Sequence, residues 1–122
     1  MKKIRKKRFS AKLLFQFRVM AHGDPRKRRL CEERIIHFRA KDANEALQIA
    51  KAKGKKEQHN YKNNDGDKVF FDFIGVMGLI CCDPACESNE VWYEVKEYLL
   101  PMERKTKFIP PVKDLDAIRN KD

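Results

Sequence analysis

Two runs of basic residues have the composition that binds phosphate groups. The first contains Lys2, Lys3, Arg5, Lys6, Lys7 and Arg8, and the second contains Arg26, Lys27, Arg28 and Arg29. Such side chains neutralise nucleic-acid phosphates without reading the bases, so the binding they give weakens steeply as salt rises. The alternative is that both runs are solvated and serve solubility only. We favour binding, because ten charges in two places exceed ordinary surface decoration.

The excess charge of the chain lies entirely in these two runs. The 122 residues include 28 Lys and Arg against 18 Asp and Glu, a formal net charge of +10. Without the ten residues of the two runs, 18 basic residues face 18 acidic ones, so the rest of the chain is formally neutral. Concentrated charge of this kind indicates where a partner is met rather than how a fold is stabilised. We call residues 2–8 the basic arm and residues 26–29 the basic loop.

Four cysteines raise the question of a metal or redox site: Cys31, Cys81, Cys82 and Cys86. Cys82 and Cys86 can approach each other across the Asp83-Pro84 turn. A structural zinc site normally has four ligands in two close pairs, and the sequence offers no second pair. We therefore predict reduced structural thiols and no metal or other cofactor, with a redox or metal role as the alternative.

No residues at catalytic spacing stand out. The histidines, which have no nucleophile near them in the sequence, are His22, His37 and His59. Asp65 and Asp67 flank a glycine, where carboxylates usually stabilise a turn. Asp72 lies among three Phe residues and has a chance of burial and a shifted pKa, although we expect it on the polar side of a bulge. We predict a protein that is not an enzyme and keep an uncharacterised enzyme as an alternative.

One amphipathic helix is predicted over residues 42–56, and the rest of the chain is organised around it. Asp42 can cap its first turn, and Glu45 can reach back to the cap. A narrow face of small residues suits close packing on a sheet, and it consists of Ala43, Ala46, Leu47, Ala50 and Gly54. Lysines in the last turns favour the negative end of the helix dipole.

Strands are predicted on both sides of the helix. Residues 9–21 alternate between apolar and polar side chains, and residues 30–40 form a second strand, so the two make an antiparallel hairpin with the basic loop at its tip. After the helix come a weak strand at 57–63, a tight turn at Asp65-Gly66, and a long central strand at 68–82 with two glycines that bend it. Alternation at 90–100 predicts a last strand.

The elements together predict an α+β domain. It has a single antiparallel sheet of four to five strands with one helix packed on a face, in the order β-β-α-β-β-β. The arm occupies residues 1–8, the domain residues 9–100, and a polar tail residues 101–122, within which 112–119 suits a short helix. No apolar run reaches the roughly 18 residues of a membrane span, and the N-terminus lacks the apolar core of a secretory signal. We predict a cytoplasmic protein that does not contact membranes.

Three blocks of this sequence resemble the small bacterial domains grouped as domain of unknown function number 4288. They are FSAKLLFQF, EERIIHFRAKDANEALQIAKAKGKK and YKNNDGDKVFFDFIGVMGL, and they occur in that order. The resemblance covers about residues 9–80 and the predicted strand at 90–100. It implies a small cytoplasmic module and carries over no catalytic residues. The segments KKIRKKR, PRKRR and CCDPAC are not part of the family pattern.

These observations lead to one functional prediction and one rival. We predict a non-catalytic binding module whose arm and loop contact an anionic partner, most simply the phosphate backbone of DNA or RNA. Phe9, Tyr61, Trp92 and Tyr93 offer rings for stacking on bases, but their strand spacing also fits core packing. The rival is a protein-binding inhibitor, immunity factor or accessory subunit of a larger complex.

Overall fold

The computed structural model describes residues 5–21, 24–25, 27–84 and 86–120, and a single antiparallel sheet forms its centre. The two long inner strands are β1 (Lys7–Ala21) and β5 (Lys68–Cys81). The outer edge of β1 pairs with β3 (Cys31–Ala40), and the outer edge of β5 pairs with β4 (His59–Lys62). The α+β class and the single antiparallel sheet are therefore confirmed.

The β1–β3 hairpin contains a register shift of two residues. A two-residue strand, β2 (Asp24–Pro25), pairs Met20 with Pro25, whereas further along Gln16 pairs with Cys31. Three residues of β1 thus face five residues of the returning chain, and the basic loop falls within these five. The predicted placement of the loop at the hairpin tip is wrong, because β2 already pairs with β1 before the loop begins.

The predicted helix is α1 (Ala43–Lys56), and its N-terminus is capped by side chains. The Glu45 backbone N–H donates to Asp42 Oδ1 at 2.8 Å. The Glu45 carboxylate accepts from the backbone N–H of Lys41 at 3.1 Å, one residue earlier than the capping box predicts. The first bond satisfies a backbone donor that the first helical turn leaves free, and the second ties the residue before the cap to that turn. Together they fix where the helix begins.

The core lies between α1 and one face of the sheet. Odd-numbered residues of β1 point to this side, and Ala11, Leu13 and Phe15 are fully buried there. The Phe15 ring stacks on Phe71 of β5 with centroids 4.7 Å apart. Ala46, Ala50 and Gly54 are the buried residues of α1, as the small-residue face predicts. We call the opposite side of the sheet, where the even-numbered residues of β1 point, the far face.

The β4–β5 hairpin is closed by the predicted turn at Asp65-Gly66. Asn63 Oδ1 accepts from the backbone N–H groups of Asp65 and Asp67 at 3.0 and 2.9 Å. Gly66 has a φ of 82°, a conformation that glycine adopts without strain. Beyond the turn, β5 has two irregularities opposite β1, between Lys12 and Leu13 and between Leu14 and Phe15, near the glycines that predicted a bent strand.

The predicted strand at 90–100 is wrong, and so is the last step of the order β-β-α-β-β-β. Among the described residues after Cys81, none belongs to a strand. Residues 91–94 instead lie over the far face, with the Trp92 ring against Gly78 and Glu94 Oε1 3.6 Å from Lys12 Nζ. The apolar side chains of the alternation, Val91, Tyr93 and Val95, are exposed, so the pattern reflects neither a strand nor a buried apolar side.

Short helical turns follow in the tail, so the structure contains more helical segments than the one helix predicted to pack on the sheet. They are α2 (Lys105–Phe108), a 3-10 turn (Val112–Asp114) and α3 (Asp116–Arg119). The last two fall within the segment 112–119 that suits a short helix. The described part of the chain contains no helix long and apolar enough to cross a membrane.

Candidate functional site

The basic arm leads directly into the first strand of the sheet. Lys7 and Arg8 are the first residues of β1, and Arg5, Lys6 and Lys7 are exposed. Lys2 and Lys3, which we also predict to bind, lie outside the described residues. The described part of the arm thus presents cations beside the end of β1.

Arg8 is held firmly by the segment that follows β5. Its Nε donates to Asp83 Oδ1 at 2.8 Å, and its backbone N–H donates to Asp83 Oδ2 at 3.0 Å. The two Nη atoms donate to the backbone carbonyls of Cys86, Glu87 and Ser88 at 3.1 to 3.3 Å. Four of the five guanidinium N–H groups are therefore engaged. Arg8 supplies charge at a fixed position, with little donor capacity left for a partner.

Two thiols, those of Cys82 and Cys86, lie in the segment that binds Arg8. Cys82 is fully buried, and its Sγ lies 3.4 Å from Ser10 Oγ. Burial, and then the hydrogen bond with Cys82, raises the pKa of the Cys86 thiol. Neither cysteine forms a disulfide in this structure. Across the described residues, no three His, Cys, Asp or Glu side chains are grouped as metal ligands would be.

A cleft of about 380 Å³ lies where the arm meets β3, and three arginines line it. The lining residues are Arg5, Arg8, Arg39, Asp83 and Ser88. Arg39 of β3 is exposed and lies directly across the ladder from Arg8. The backbone N–H of Arg8, followed by its guanidinium, holds the pKa of Asp83 below the usual range of a carboxyl group. A second cleft, of about 450 Å³, continues past Asp83 along Lys6 and Lys7.

The basic loop lies near the other end of β1. Lys27, Arg28 and Arg29 are exposed, and Arg26 lies outside the described residues. Arg29 Nη1 donates to Gln16 Oε1 at 3.0 Å. Since Gln16 is an even-numbered residue of β1, this contact brings Arg29 to the far face.

A polar network surrounds Gln16 on the far face. Asp72 accepts from Arg18 Nε at 2.9 Å and from Gln16 Nε2 at 3.0 Å. The Arg18 guanidinium, opposed by partial burial and assisted by Gln16, lowers the pKa of Asp72. Arg18 also lies 4.4 Å from the ring centroid of Phe70. Asp72 lies on the polar far face, in regular register with Gln16 and outside both irregularities of β5, so it is not part of a bulge. The shift of its pKa is downward because a cation outweighs burial.

One arginine of the arm and one of the loop lie on the same face of the sheet. Arg8 and Gln16 are eight residues apart on β1, an even number, and the register shows no extra residue in β1 between them. Eight residues of strand span about 27 Å. Arg8 and Arg29 thus lie at two separated places along the far face, whereas Arg28 and Arg29 also line a pocket with Phe17 and Val19 of the core side.

The other singled-out residues occupy ordinary structural positions. Phe9 is buried in the core and Trp92 packs on Gly78, whereas Tyr61 and Tyr93 are about half exposed. His37 is exposed on β3. His59 is also exposed, with Nδ1 2.8 Å from the Glu57 carbonyl oxygen. His22 lies outside the described residues.

The geometry is that of a small single-sheet α+β domain with Arg8 and Arg29 at two separated places on one face. The chain belongs to the family described as Domain of unknown function (DUF4288), whose model matches residues 8–92. The resemblance of its three sequence blocks is therefore confirmed. No curated protein and no solved structure gave a match to the chain.

Proposed function

We propose that this domain is a non-catalytic binding module that contacts the phosphate backbone of a nucleic acid through its arm and its basic loop. The positions of Arg8 and Arg29 at two separated places along the far face, each with further exposed cations next to it in the chain, carry the proposal. A small anion would engage one group only, whereas an extended polyanion can contact both. A span of about 27 Å corresponds to about eight base pairs of duplex at 3.4 Å per pair.

The contacting residues differ in what they can offer. Exposed ends for phosphate oxygens are supplied by Arg5, Lys6 and Lys7 in the arm and by Lys27, Arg28 and Arg29 in the loop, and the proposal extends to Lys2, Lys3 and Arg26. Arg8 contributes charge and holds the arm against the sheet. Contacts of this kind grip the backbone and carry no base sequence, so the proposal covers DNA and RNA alike.

The test is fluorescence anisotropy with labelled duplexes and single strands between about 50 and about 200 mM salt. One variant replaces Arg26, Lys27, Arg28 and Arg29 with Ser. A matched control replaces four exposed lysines of α1, on the opposite side of the sheet, namely Lys51, Lys53, Lys55 and Lys56.

We expect the loop variant to lose at least about tenfold in affinity and to flatten the salt slope by as much as about 3 to 4, while the α1 variant changes little. Affinity for duplexes should rise between lengths of about 6 and about 12 base pairs, because only the longer one spans both cation groups. Equal losses in the two variants, or no measurable binding, would contradict the proposal.

A protein partner is the second candidate, and the apolar surface of residues 95–118 favours it. Exposed fractions are 90% for Val95, 70% for Leu99, 76% for Met102 and 67% for Val112. Several large apolar side chains exposed along one segment are typical of a segment that meets a partner. An inhibitor, immunity factor or accessory subunit would bind through this surface with little dependence on salt, which separates it from the first candidate.

The proposal includes a cytoplasmic location, a bacterial origin and no requirement for a metal or cofactor. Free thiols at Cys82 and Cys86 support a reducing compartment. The resemblance to small bacterial domains supports the origin.

A further inference from the structure

The cleft at the end of β1 combines an unfavourable charge arrangement with unused hydrogen-bond donors. Arg8 and Arg39 are direct cross-strand partners, and Arg5 lines the same cleft. Like charges directly opposite each other in an antiparallel pair destabilise the sheet. An arrangement of this kind becomes favourable when an anion lies between the cations.

Asp83 is hydrogen-bonded to only one of the three guanidinium groups. Both of its carboxylate oxygens are engaged by Arg8, through the backbone N–H and Nε. Within the described part of the chain, the guanidinium groups of Arg5 and Arg39 make no hydrogen bond or close ion pair, and Arg39 acts on Asp83 only through longer-range charge. Three cations against one carboxylate leave two positive charges uncompensated, together with two planar guanidinium groups free to bind.

We propose that Arg5 and Arg39 bind a phosphomonoester group in this cleft, with Arg8 and Asp83 as its fixed wall. Guanidinium forks match phosphate oxygens in pairs. A phosphomonoester carries about −1.5 to −2 charges at neutral pH and fits the two uncompensated charges, whereas a backbone phosphodiester carries one. At about 380 Å³ the cleft lies at the small end of the range for ligand pockets. It has room for a phosphate group and for part of the molecule to which that group is attached.

The site goes beyond the backbone contacts proposed above, since it takes one terminal group rather than a polymer. Two ligands can present such a dianionic phosphate head, inorganic phosphate as the hydrogen phosphate ion and the phosphorylated end of a nucleic acid. Both offer doubly charged phosphate oxygens to Arg5 and Arg39, so separate binding measurements must tell them apart.

The first measurement is calorimetric titration of the full-length protein with inorganic phosphate and with dimethyl phosphate, a monoanionic diester, at constant ionic strength. We expect saturable binding of phosphate, at least about tenfold weaker binding of the diester, and at least about tenfold weaker phosphate binding in Arg39→Ser and in Arg5→Ser. Arg28→Ser, which removes one exposed cation from the basic loop, should bind phosphate as the unmodified protein does. Absence of saturable binding, or equal affinity in Arg39→Ser, would overturn the inference.

Thermal unfolding separates loss of the site from loss of the fold. Without phosphate, Arg39→Ser should unfold at a temperature no lower than the unmodified protein, because the substitution removes a like-charge pair. With phosphate, the unmodified protein should be stabilised and Arg39→Ser should not. Stabilisation of both proteins by the same amount would count against the cleft as the site.

A 5′-phosphorylated oligonucleotide and its unphosphorylated twin identify the source. Tighter binding of the phosphorylated strand, lost in Arg39→Ser, supports a nucleic-acid end, and equal binding of the two strands with intact phosphate binding supports a free phosphate compound. Failure of every phosphate measurement alongside intact salt-dependent duplex binding rejects this site and leaves the proposed function standing. The converse result rejects the proposed function alone.

Discussion

Asp72 shows how a single side chain on the far face acquires its properties from its neighbours. It follows two phenylalanines and precedes a third, and a burial argument alone would raise its pKa. In the structure its side chain is 26% exposed and accepts from Arg18 and Gln16, so its pKa is lowered. The charged form is therefore the one that the folded state stabilises.

The first prediction concerns Asp72→Asn and acid. A lowered pKa means that the contribution of Asp72 to stability is complete above the unfolded carboxyl pKa of about 3.9 and is lost as pH falls through the lower folded value. We expect Asp72→Asn to cost about 1 kcal/mol at pH 7, a modest value because the pair is partly exposed, and close to nothing at about pH 2.

Urea unfolding of the two proteins at both pH values measures this difference. Asp116→Asn is the control, since its side chain is 88% exposed and it should change the unfolding free energy by less than about 0.5 kcal/mol at either pH. A cost for Asp72→Asn that persists unchanged in acid would show that its charge is not what stabilises the fold.

At the scale of elements, the contact between α1 and β5 depends on one missing side chain. The ring of Phe73 occupies the space that a Cβ on Gly54 would need. Glycine in a helix normally costs about 1 kcal/mol relative to alanine. At Gly54 the close packing of the helix on the sheet, which a side chain would prevent, offsets this cost.

The second prediction is that Gly54→Ala destabilises the protein although alanine is the better helix former. The overlap with Phe73 should cost about 1–3 kcal/mol, more than the gain in helix propensity. Gly75→Ala is the matched control, because no atom lies within 4 Å of a Cβ added there. Denaturant midpoints of the two variants give the answer, and a midpoint for Gly54→Ala at or above that of the unmodified protein would refute the packing argument.

The elements that the sequence predicted are those whose pattern reflects local geometry. Periods of two and of 3.6 residues, the Asp42 cap and the Asp65-Gly66 turn all act within a few residues, and the hairpin, α1 and the β4–β5 turn follow from them. The alternation at 90–100 corresponds neither to a strand nor to a buried apolar side. Val91, Tyr93 and Val95 are exposed, and the side with Trp92 rests on the far face without joining the ladder.

At the scale of the whole molecule, the candidate site was only half visible in the sequence. The two basic runs are contiguous and can be read directly, as can the neutrality of the remainder. Arg39 escaped notice because it is one arginine in a strand, and its importance comes from a register that places it across from Arg8. If the register of the Met20–Pro25 pair continued along the hairpin, His37 would lie opposite Arg8. The position of Arg39 therefore cannot be predicted without the two-residue shift at the loop.

The position of Trp92 has a spectroscopic consequence. It is the single tryptophan of the chain, and its ring rests on Gly78, so intrinsic fluorescence reports the docking of residues 91–94 rather than the Phe-rich core. Circular dichroism reports the sheet and α1 instead. Lys12→Ser, which removes the ion pairs to Glu33 and Glu94, should lower the fluorescence midpoint in urea more than the dichroism midpoint, while Lys51→Ser should leave the two coincident. Coincident midpoints in Lys12→Ser would mean that residues 91–94 and the sheet unfold as one unit. Separate midpoints would mean that the fluorescence of Trp92 reports the detachment of residues 91–94 from the far face on its own.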